Sequence, residues 1–392
     1  MDWREIKSVE AEAIQIPENW LHTHYYEALT ILFRIENALR MFVYLTLKTK
    51  FQDKWDEQSV TSDDAGEGTI ASVAKKRAHQ ARVFGYLGYP GTCPIMYLTA
   101  GELIRLITSD GYWKHFKKAF VASKEIVKNK LDEIGAVRNA LAHFRPIKKD
   151  DVEVIKQNAK QILSNIEVQL GEITSLLKRV PTNTGDQWYR DLRSLGTDLC
   201  GIDFYQSTAG EWIEIVTRYN CPIISHDSIR KSHFFKLLTI NGPHILERHT
   251  SLAKLVIYMS ERVDGTIVDR NGQAEFGKRV ATVLNIDTLR ENYHEIKTEL
   301  EGLLVTVSEE TELIRQDNLA EGKLIDMATA RATIKDGEES GWADVSGLKS
   351  PVHESSPPEW WGEIPFVTRH FLSDTPIYPW METDVARAVF PF

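Results

Sequence analysis

The chain has 392 residues, of which 42% are hydrophobic and 26% charged, and its net charge is −9. Its length favours two domains, and its composition is ordinary for a globular protein with a full core. No apolar run is long enough to span a bilayer, residues 1–5 lack the apolar stretch of a signal peptide, and three widely spaced cysteines favour reduced thiols in a cytoplasmic protein over a disulfide framework.

The first predicted element is a long helix over residues 20–50, where apolar side chains recur at helical spacing. A polar interruption within this helix holds Glu36, Asn37 and Arg40. Glu36 and Arg40 are four residues apart and share one helix face, so we expect them to form an ion pair. On pattern alone, an exposed surface pair is favoured over a role in a functional site.

Residues 52–97 are predicted to form an insertion that is polar and turn-rich, with a short helix over 70–84. Further helices are predicted over 98–107 and 113–121, and a longer one leads up to residue 143. The Arg145-Pro146 pair ends that helix, because the residue before a proline avoids helical geometry. An apolar stripe predicts a final helix over 150–177, so residues 1–182 are expected to form an antiparallel helical bundle.

The second half of the chain has a mixed pattern, which begins after a polar linker at 180–185. Residues 186–349 are predicted to form an α+β domain, with strands over 212–217 and 255–259 and helices over 276–284 and 289–309. From residue 350 to 392, seven prolines and three tryptophans predict an extended tail that packs across a protein surface. The fold class is therefore mainly α, with a helical bundle followed by the α+β domain.

The strongest functional signal is the sequence Arg138-Asn139-Ala140-Leu141-Ala142-His143, here called the Arg-His motif, at the predicted end of a helix. Arginine pairs with phosphate oxygens through a planar fork, and histidine exchanges protons near neutral pH. Asn139 and His143 lie four residues apart on one helix face, so the amide is placed to orient the imidazole. Arg and His near a helix C-terminus are also favoured by the helix dipole alone, whatever their function.

Arg138-Asn139 followed four positions later by His143 resembles the Arg-x(4–6)-His signature of the HEPN superfamily. The resemblance covers roughly residues 18–180 and implies an all-helical domain. Many such domains are metal-independent endoribonucleases of toxin, abortive-infection and RNA-processing systems. It also implies a homodimer, in which two motifs converge, and a second shell of polar residues on an early helix, for which Glu36, Asn37 and Arg40 are the candidates.

By this resemblance, the chain is predicted to cleave RNA through attack of the 2′-hydroxyl on its own phosphate, without a metal or cofactor. The proposed catalytic residues are Arg138, Asn139 and His143, with His143 as general base or acid and Arg138 stabilising the charge on phosphate. The spacings of His226, His233, His244 and His249 match no common zinc pattern. The implied biology is a bacterial toxin or anti-phage effector.

Charge along the chain is uneven, which bears on an RNA partner. Between residues 105 and 150 there are eleven Lys and Arg against five Asp and Glu, whereas residues 321–392 hold six against twelve. The basic segment predicts an RNA-binding face, although a solvated helix face is the alternative. The candidate RNA-binding residues are Lys114, Lys117, Lys118, Lys124 and Arg145.

Two further expectations concern regulation and the alternative function. The C-terminal half contains no chemical motif, so it is predicted to be a regulatory element that senses or binds a protein or ligand. Its acidic tail is placed to mask the basic patch, and deletion beyond about Ser350 is expected to change activity. The alternative is a non-catalytic HEPN module that binds RNA or a partner protein as an antitoxin or scaffold; a phosphate-gripping nucleotide sensor is a third interpretation.

Overall fold

The computed structural model describes residues 3–7, 13–17, 23–60, 68–83, 91–174, 181, 184–264, 266–316, 324–363 and 378–380. Half of the predicted linker at 180–185 and most of the tail beyond residue 363 lie outside these described residues. Parts of the predicted insertion, 61–67 and 84–90, lie outside them as well.

The described residues of the N-terminal region contain a short antiparallel hairpin and six α-helices. The hairpin pairs β1 (Trp3–Lys7) with β2 (Ala13–Pro17). The helices are α1 (Thr23–Phe51), α2 (Ile70–Val83), α3 (Ala100–Thr108), α4 (Asp110–Phe116), α5 (Lys124–Ala142) and α6 (Lys149–Thr174). Each helix predicted from the sequence in this region is present, with ends shifted by a few residues.

The helices α1, α3, α5 and α6 pack around one core because each presents an apolar stripe to the others. Leu39, Leu103, Leu131 and Ile166 represent the four helices in this core, and each of them is buried. Thr99 opens α3 with a capping box, in which its hydroxyl accepts from the Glu102 N–H and Glu102 accepts from the Thr99 N–H. The bundle fixes the end of α5 against the start of α1.

The C-terminal region contains ten strands and four helices among its described residues. Its helices are α7 (Gln187–Arg193), α8 (Gly242–Arg248), α9 (Thr250–Leu255) and α10 (Ile286–Arg315). Its strands are β3 (Cys200–Gln206), β4 (Trp212–Cys221), β5 (Ile223–Ile229), β6 (Ser232–Ile240), β7 (Tyr258–Val263), β8 (Ile267–Asp269), β9 (Phe276–Asn285), β10 (Ile325–Thr333), β11 (Ser340–Ser346) and β12 (Trp360–Glu363).

These strands form two five-stranded sheets, in the orders β5-β6-β10-β11-β8 and β12-β7-β9-β4-β3. All neighbours are antiparallel except β12, which runs parallel to β7. The long helix α10 packs against α7, α9, β9 and β10, and its apolar side chains join the core shared by the two sheets. The chain is therefore helical in its N-terminal region and sheet-rich in its C-terminal region, so the prediction of a mainly α fold holds only in part.

The prediction of a helix over 276–284 is wrong, since this segment is β9, the central strand of the second sheet. Burial along it alternates from Phe276 to Ala281, which is the period of a strand. Val280, Thr282 and Val283 are β-branched and favour extended structure. The strand predicted at 255–259 begins only at Tyr258, because Leu255 ends α9. The helix predicted at 289–309 is confirmed and extends further at both ends.

The two regions meet where the C-terminal half of α1 lies against the second sheet. The Tyr44 hydroxyl donates to the Ile257 carbonyl at 2.8 Å, and Lys48 Nζ lies 2.6 Å from Glu359 Oε1. Trp361 stacks on Tyr258 with ring centroids 4.0 Å apart. The described part of the tail is therefore packed at this junction. Its three tryptophans, Trp360, Trp361 and Trp380, are buried, as expected for a tail that packs across a protein surface.

Candidate functional site

The Arg-His motif occupies the last turn of α5 and its C-cap. Arg138 lies in the last turns of the helix, which ends at Ala142, and His143 is the C-cap residue. Tyr25 at the start of α1 donates its hydroxyl to the Leu141 carbonyl at 3.2 Å, which ties this end of α5 to the bundle. Asn139 and His143 are exposed and Arg138 is partly exposed, so the three polar side chains are accessible from solvent.

Arg138 is held by the polar group on α1 that the sequence singled out. Its Nε lies 3.5 Å from Glu36 Oε2, and the other oxygen of that carboxylate pairs with Arg40. Arg40 in turn donates to Asn37 Oδ1 at 3.1 Å and to the Leu98 carbonyl at 3.3 Å. Asn37 is buried and donates to the Phe33 carbonyl. All three residues predicted on α1 therefore form one network that reaches Arg138.

This network is largely shielded from solvent, so the sequence-based preference for an exposed surface pair between Glu36 and Arg40 is wrong. The two side chains are only 16% and 14% exposed. Burial lowers the pKa of Arg40 from its ordinary value; pairing with Glu36 opposes this decrease and repulsion from Arg138 adds to it. A single carboxylate therefore balances two guanidinium groups, one buried and one facing the surface.

The Asn139 amide and the His143 imidazole do not meet in the chain as folded. Within the described residues, neither side chain has a hydrogen-bond partner, and Asn139 contacts His143 only through the helical backbone bond of 3.2 Å. Arg138 and His143 are five residues apart, which places them roughly 140° apart around an ideal helix axis. The two residue positions in one copy of the motif are therefore offset from each other around the helix.

Of the five candidate RNA-binding residues, only Arg145 follows the motif, and the other four precede α5 or begin it. Arg145 lies beside His143 and is exposed. Lys124 begins α5, fourteen residues before Arg138, and this corresponds to about 21 Å along the helix. Lys124 pairs with Asp110, and Lys118 lines a crevice of about 440 Å³ between the helical region and the second sheet, together with Glu211 and Asp287. The remaining two, Lys114 and Lys117, are exposed in and just after α4.

Two features of the site have no clear signal in the sequence. Phe144, directly after the motif, has a positive φ of 54° and is 85% exposed. The Glu36–Arg138 contact joins residues about one hundred positions apart. A cavity of about 20 Å³ beside Arg138 and Glu36 has room for a water molecule but not for a nucleotide, so any RNA must bind across the surface.

Comparison with known families identifies the helical region. Residues 30–167 match the family model described as Swt1-like HEPN. The N-terminal part of this chain therefore carries a HEPN superfamily domain, as the Arg-His motif predicted. The match runs from the second turn of α1 through most of α6 and includes the whole motif together with Glu36, Asn37 and Arg40. No curated protein and no solved structure matches the chain.

The family match carries a general statement about function. HEPN domains are commonly ribonucleases, and they often bind RNA and dimerise.

No helix among the described residues is long and apolar enough to cross a membrane. The three cysteines are free and buried, and burial raises the pKa of the Cys200 and Cys221 thiols to about 12.

Proposed function

We propose that this chain is a metal-independent endoribonuclease. The observation that carries the proposal is the solvent-facing His143 at the end of α5, five residues after an arginine that Glu36 holds in place. A histidine that packed into the core would be buried and hydrogen-bonded, whereas this imidazole is open to a ligand. The chain also keeps the complete Arg-Asn…His set within a domain of the HEPN superfamily.

The proposed reaction breaks one phosphodiester bond and forms another. A general base takes the proton from the 2′-hydroxyl, the 2′-oxygen attacks phosphorus, and a general acid gives a proton to the departing 5′-oxygen. The products are a 2′,3′-cyclic phosphate and a 5′-hydroxyl. His143 supplies one of these proton transfers, which is worth about 10²–10⁴-fold in rate. Arg138 pairs with the non-bridging oxygens as negative charge grows on them.

A homodimer completes this proposal, because one imidazole does not easily serve as both base and acid. The offset of Arg138 and His143 around the helix in one copy supports the same idea. In the proposed assembly, His143 of the partner subunit provides the second proton transfer. Sedimentation of the purified protein is expected to report a dimer, and a monomer that cleaves RNA would contradict this part of the proposal.

The first experiment incubates purified protein with mixed cellular RNA in EDTA. Cleavage that leaves 2′,3′-cyclic phosphate ends is expected for the wild type. It should fall by at least about 100-fold for His143→Ala and Arg138→Ala. His79→Ala is a matched control, because His79 is exposed on α2, away from the motif. Wild-type protein that binds RNA without cleaving it, at any chain concentration, would favour the non-catalytic binding module instead.

We further propose that the C-terminal half regulates a nuclease of toxin or anti-phage type. The buried pair between Lys48 on α1 and Glu359 before β12 supports this, since it links the tail to the long helix that also carries Glu36. Glu359→Gln weakens that link without removing Trp360 and Trp361, whose deletion would expose the core. Changed cleavage by this folded variant supports regulation, and an unchanged rate in a variant with a loosened tail would oppose it.

A further inference from the structure

The chain reverses direction directly after the Arg-His motif through a two-bond helix terminus. The Arg145 N–H donates to the Ala140 carbonyl at 2.9 Å, and the Phe144 N–H donates to the Leu141 carbonyl at 3.0 Å. This pattern requires a left-handed backbone at Phe144, where φ is 54°. Glycine is the usual residue at such a position because a side chain there is strained, by about 1–2 kcal/mol.

The phenylalanine ring does not compensate for this strain by packing. Phe144 is 85% exposed, the second most exposed large hydrophobic residue that the structure describes, and no described ring packs against it. An exposed hydrophobic residue alone is ordinary. The strain at this bulky aromatic residue is therefore not offset by burial of its ring, and backbone strain of this kind concentrates at functional sites.

The surroundings of Phe144 indicate what the ring binds. From residue 134 to residue 149 the sequence contains no Asp or Glu, but it contains Arg138, Arg145, Lys148 and Lys149 as well as His143. The side chains of Arg145, Lys148 and Lys149 are exposed, and no described residue forms an ion pair with them. An aromatic ring among unpaired cations matches the chemistry of single-stranded nucleic acid, whose bases stack on rings while its phosphates pair with Arg and Lys.

We propose that Phe144 is a base-stacking residue that positions single-stranded RNA over His143. The inference rests on the proposed ribonuclease function and adds how the substrate is placed there. A base stacked on Phe144 holds its own phosphate beside the adjacent imidazole, and Arg145 pairs with the neighbouring phosphate. Because every base has an aromatic face, this contact selects unpaired RNA and is tolerant of sequence.

The test separates the ring from the backbone conformation. Phe144→Asn and Phe144→Gly remove the ring but keep a residue that accepts a positive φ, so both variants should be at least as stable as the wild type to heat. Phe144→Tyr keeps the ring. Binding is measured by anisotropy with a 2′-O-methyl single-stranded RNA, which the proposed reaction does not cleave, and with a 2′-O-methyl abasic oligomer of equal length.

The ring-free variants are expected to bind the base-containing RNA about 5- to 100-fold more weakly, while Phe144→Tyr stays near the wild type. Affinity for the abasic oligomer should be the same in all four proteins. Equal binding of both ligands by the Asn and wild-type proteins would overturn the proposal. A dimer that dissociates in the Asn and Gly variants would also overturn it, by assigning the ring to an interface between copies.

These outcomes are distinct from failure of the ribonuclease proposal. If the wild-type protein never cleaves RNA but Phe144→Asn loses the base-dependent binding, the proposed reaction is wrong and the stacking role stands. Conversely, if Phe144→Asn cleaves and binds RNA as the wild type does, the proposed reaction stands and the stacking role is wrong.

Discussion

A buried ion pair in the second sheet and the exposed end of α5 use charged side chains in opposite ways. In the second sheet, Lys278 is fully buried. Its Nζ lies 2.7 Å from a Glu261 carboxylate oxygen and donates to the Ile240 carbonyl at 2.6 Å, so its charge is paired within the fold. At the end of α5, His143 and Arg145 face solvent with no described partner. The exposed charges at this helix end therefore have no structural partner among the described residues and are available to a ligand.

Among the substitutions that test this comparison, Lys278→Met is expected to have the largest effect on stability. It leaves Glu261 buried without a counter-charge, which should lower the free energy of unfolding by about 3–5 kcal/mol. Urea denaturation measures this loss. The double variant Lys278→Met with Glu261→Gln should recover most of it, because glutamine still accepts from the Ser350 N–H. His143→Ala, by contrast, should unfold like the wild type, and a large loss of stability there would break the comparison.

The half-buried carboxyl of Glu214 is expected to make the C-terminal region sensitive to pH. Burial raises its pKa from 4.5 to about 7. The folded state therefore keeps a proton that the unfolded chain loses, so this contribution to stability is complete below pH 4.5 and is lost as the pH rises to 7 and above. The loss should be about 1–3 kcal/mol.

Glu214→Gln removes this dependence, which can be measured by urea denaturation at several pH values between 4.5 and 8. Glu211→Gln is the matched control, because Glu211 is exposed three residues earlier. Trp212 packs against the core of the helical region, and Glu214, two residues on, shares its face of β4. Parallel stability curves for the wild type and Glu214→Gln would show that this carboxyl is ionised in the folded protein.

A smaller effect on stability, with a clear effect on activity, is expected from Glu36→Gln. The substitution keeps the shape of the side chain but removes the charge that balances Arg40 and Arg138, so stability should fall by about 1–2 kcal/mol. If Glu36 positions Arg138, kcat should fall roughly tenfold with little change in KM. Glu27 lies on the same helix as Glu36 and forms an exposed pair with Lys156 of α6, so Glu27→Gln should change neither by much.

The smallest predicted effect compares two basic residues of the helical region. Arg145→Ala should weaken RNA binding about 3- to 10-fold and reduce the slope of affinity against salt by about one. Lys124→Ala should have less effect, since Lys124 pairs with Asp110 at the far end of α5. Salt titrations of RNA affinity measure both, and equal effects would indicate a binding face that runs the full length of the helix.

Local patterns in the sequence predict the helices of the helical region, but they do not predict every strand of the two sheets. The apolar spacing of α1 and α6 predicts both helices, because a helix that packs on one side repeats its contacts every three to four residues. The segment 276–284 was misassigned since a short apolar run fits a buried strand and a buried helix alike. Only pairing with β4 and β7 decides between them.

The sequence by itself determined the Arg-His motif, its position at a helix end and its basic surroundings, since these depend on residues close together in the chain. It also identified Glu36, Asn37 and Arg40 as a polar group, but it did not determine whether they face solvent or the motif. Only the packing of α1 against α5 decided that Glu36 reaches Arg138. Likewise, only the backbone beyond Ala142 revealed the strained, exposed ring of Phe144, because a residue's φ depends on the hydrogen bonds that end the helix.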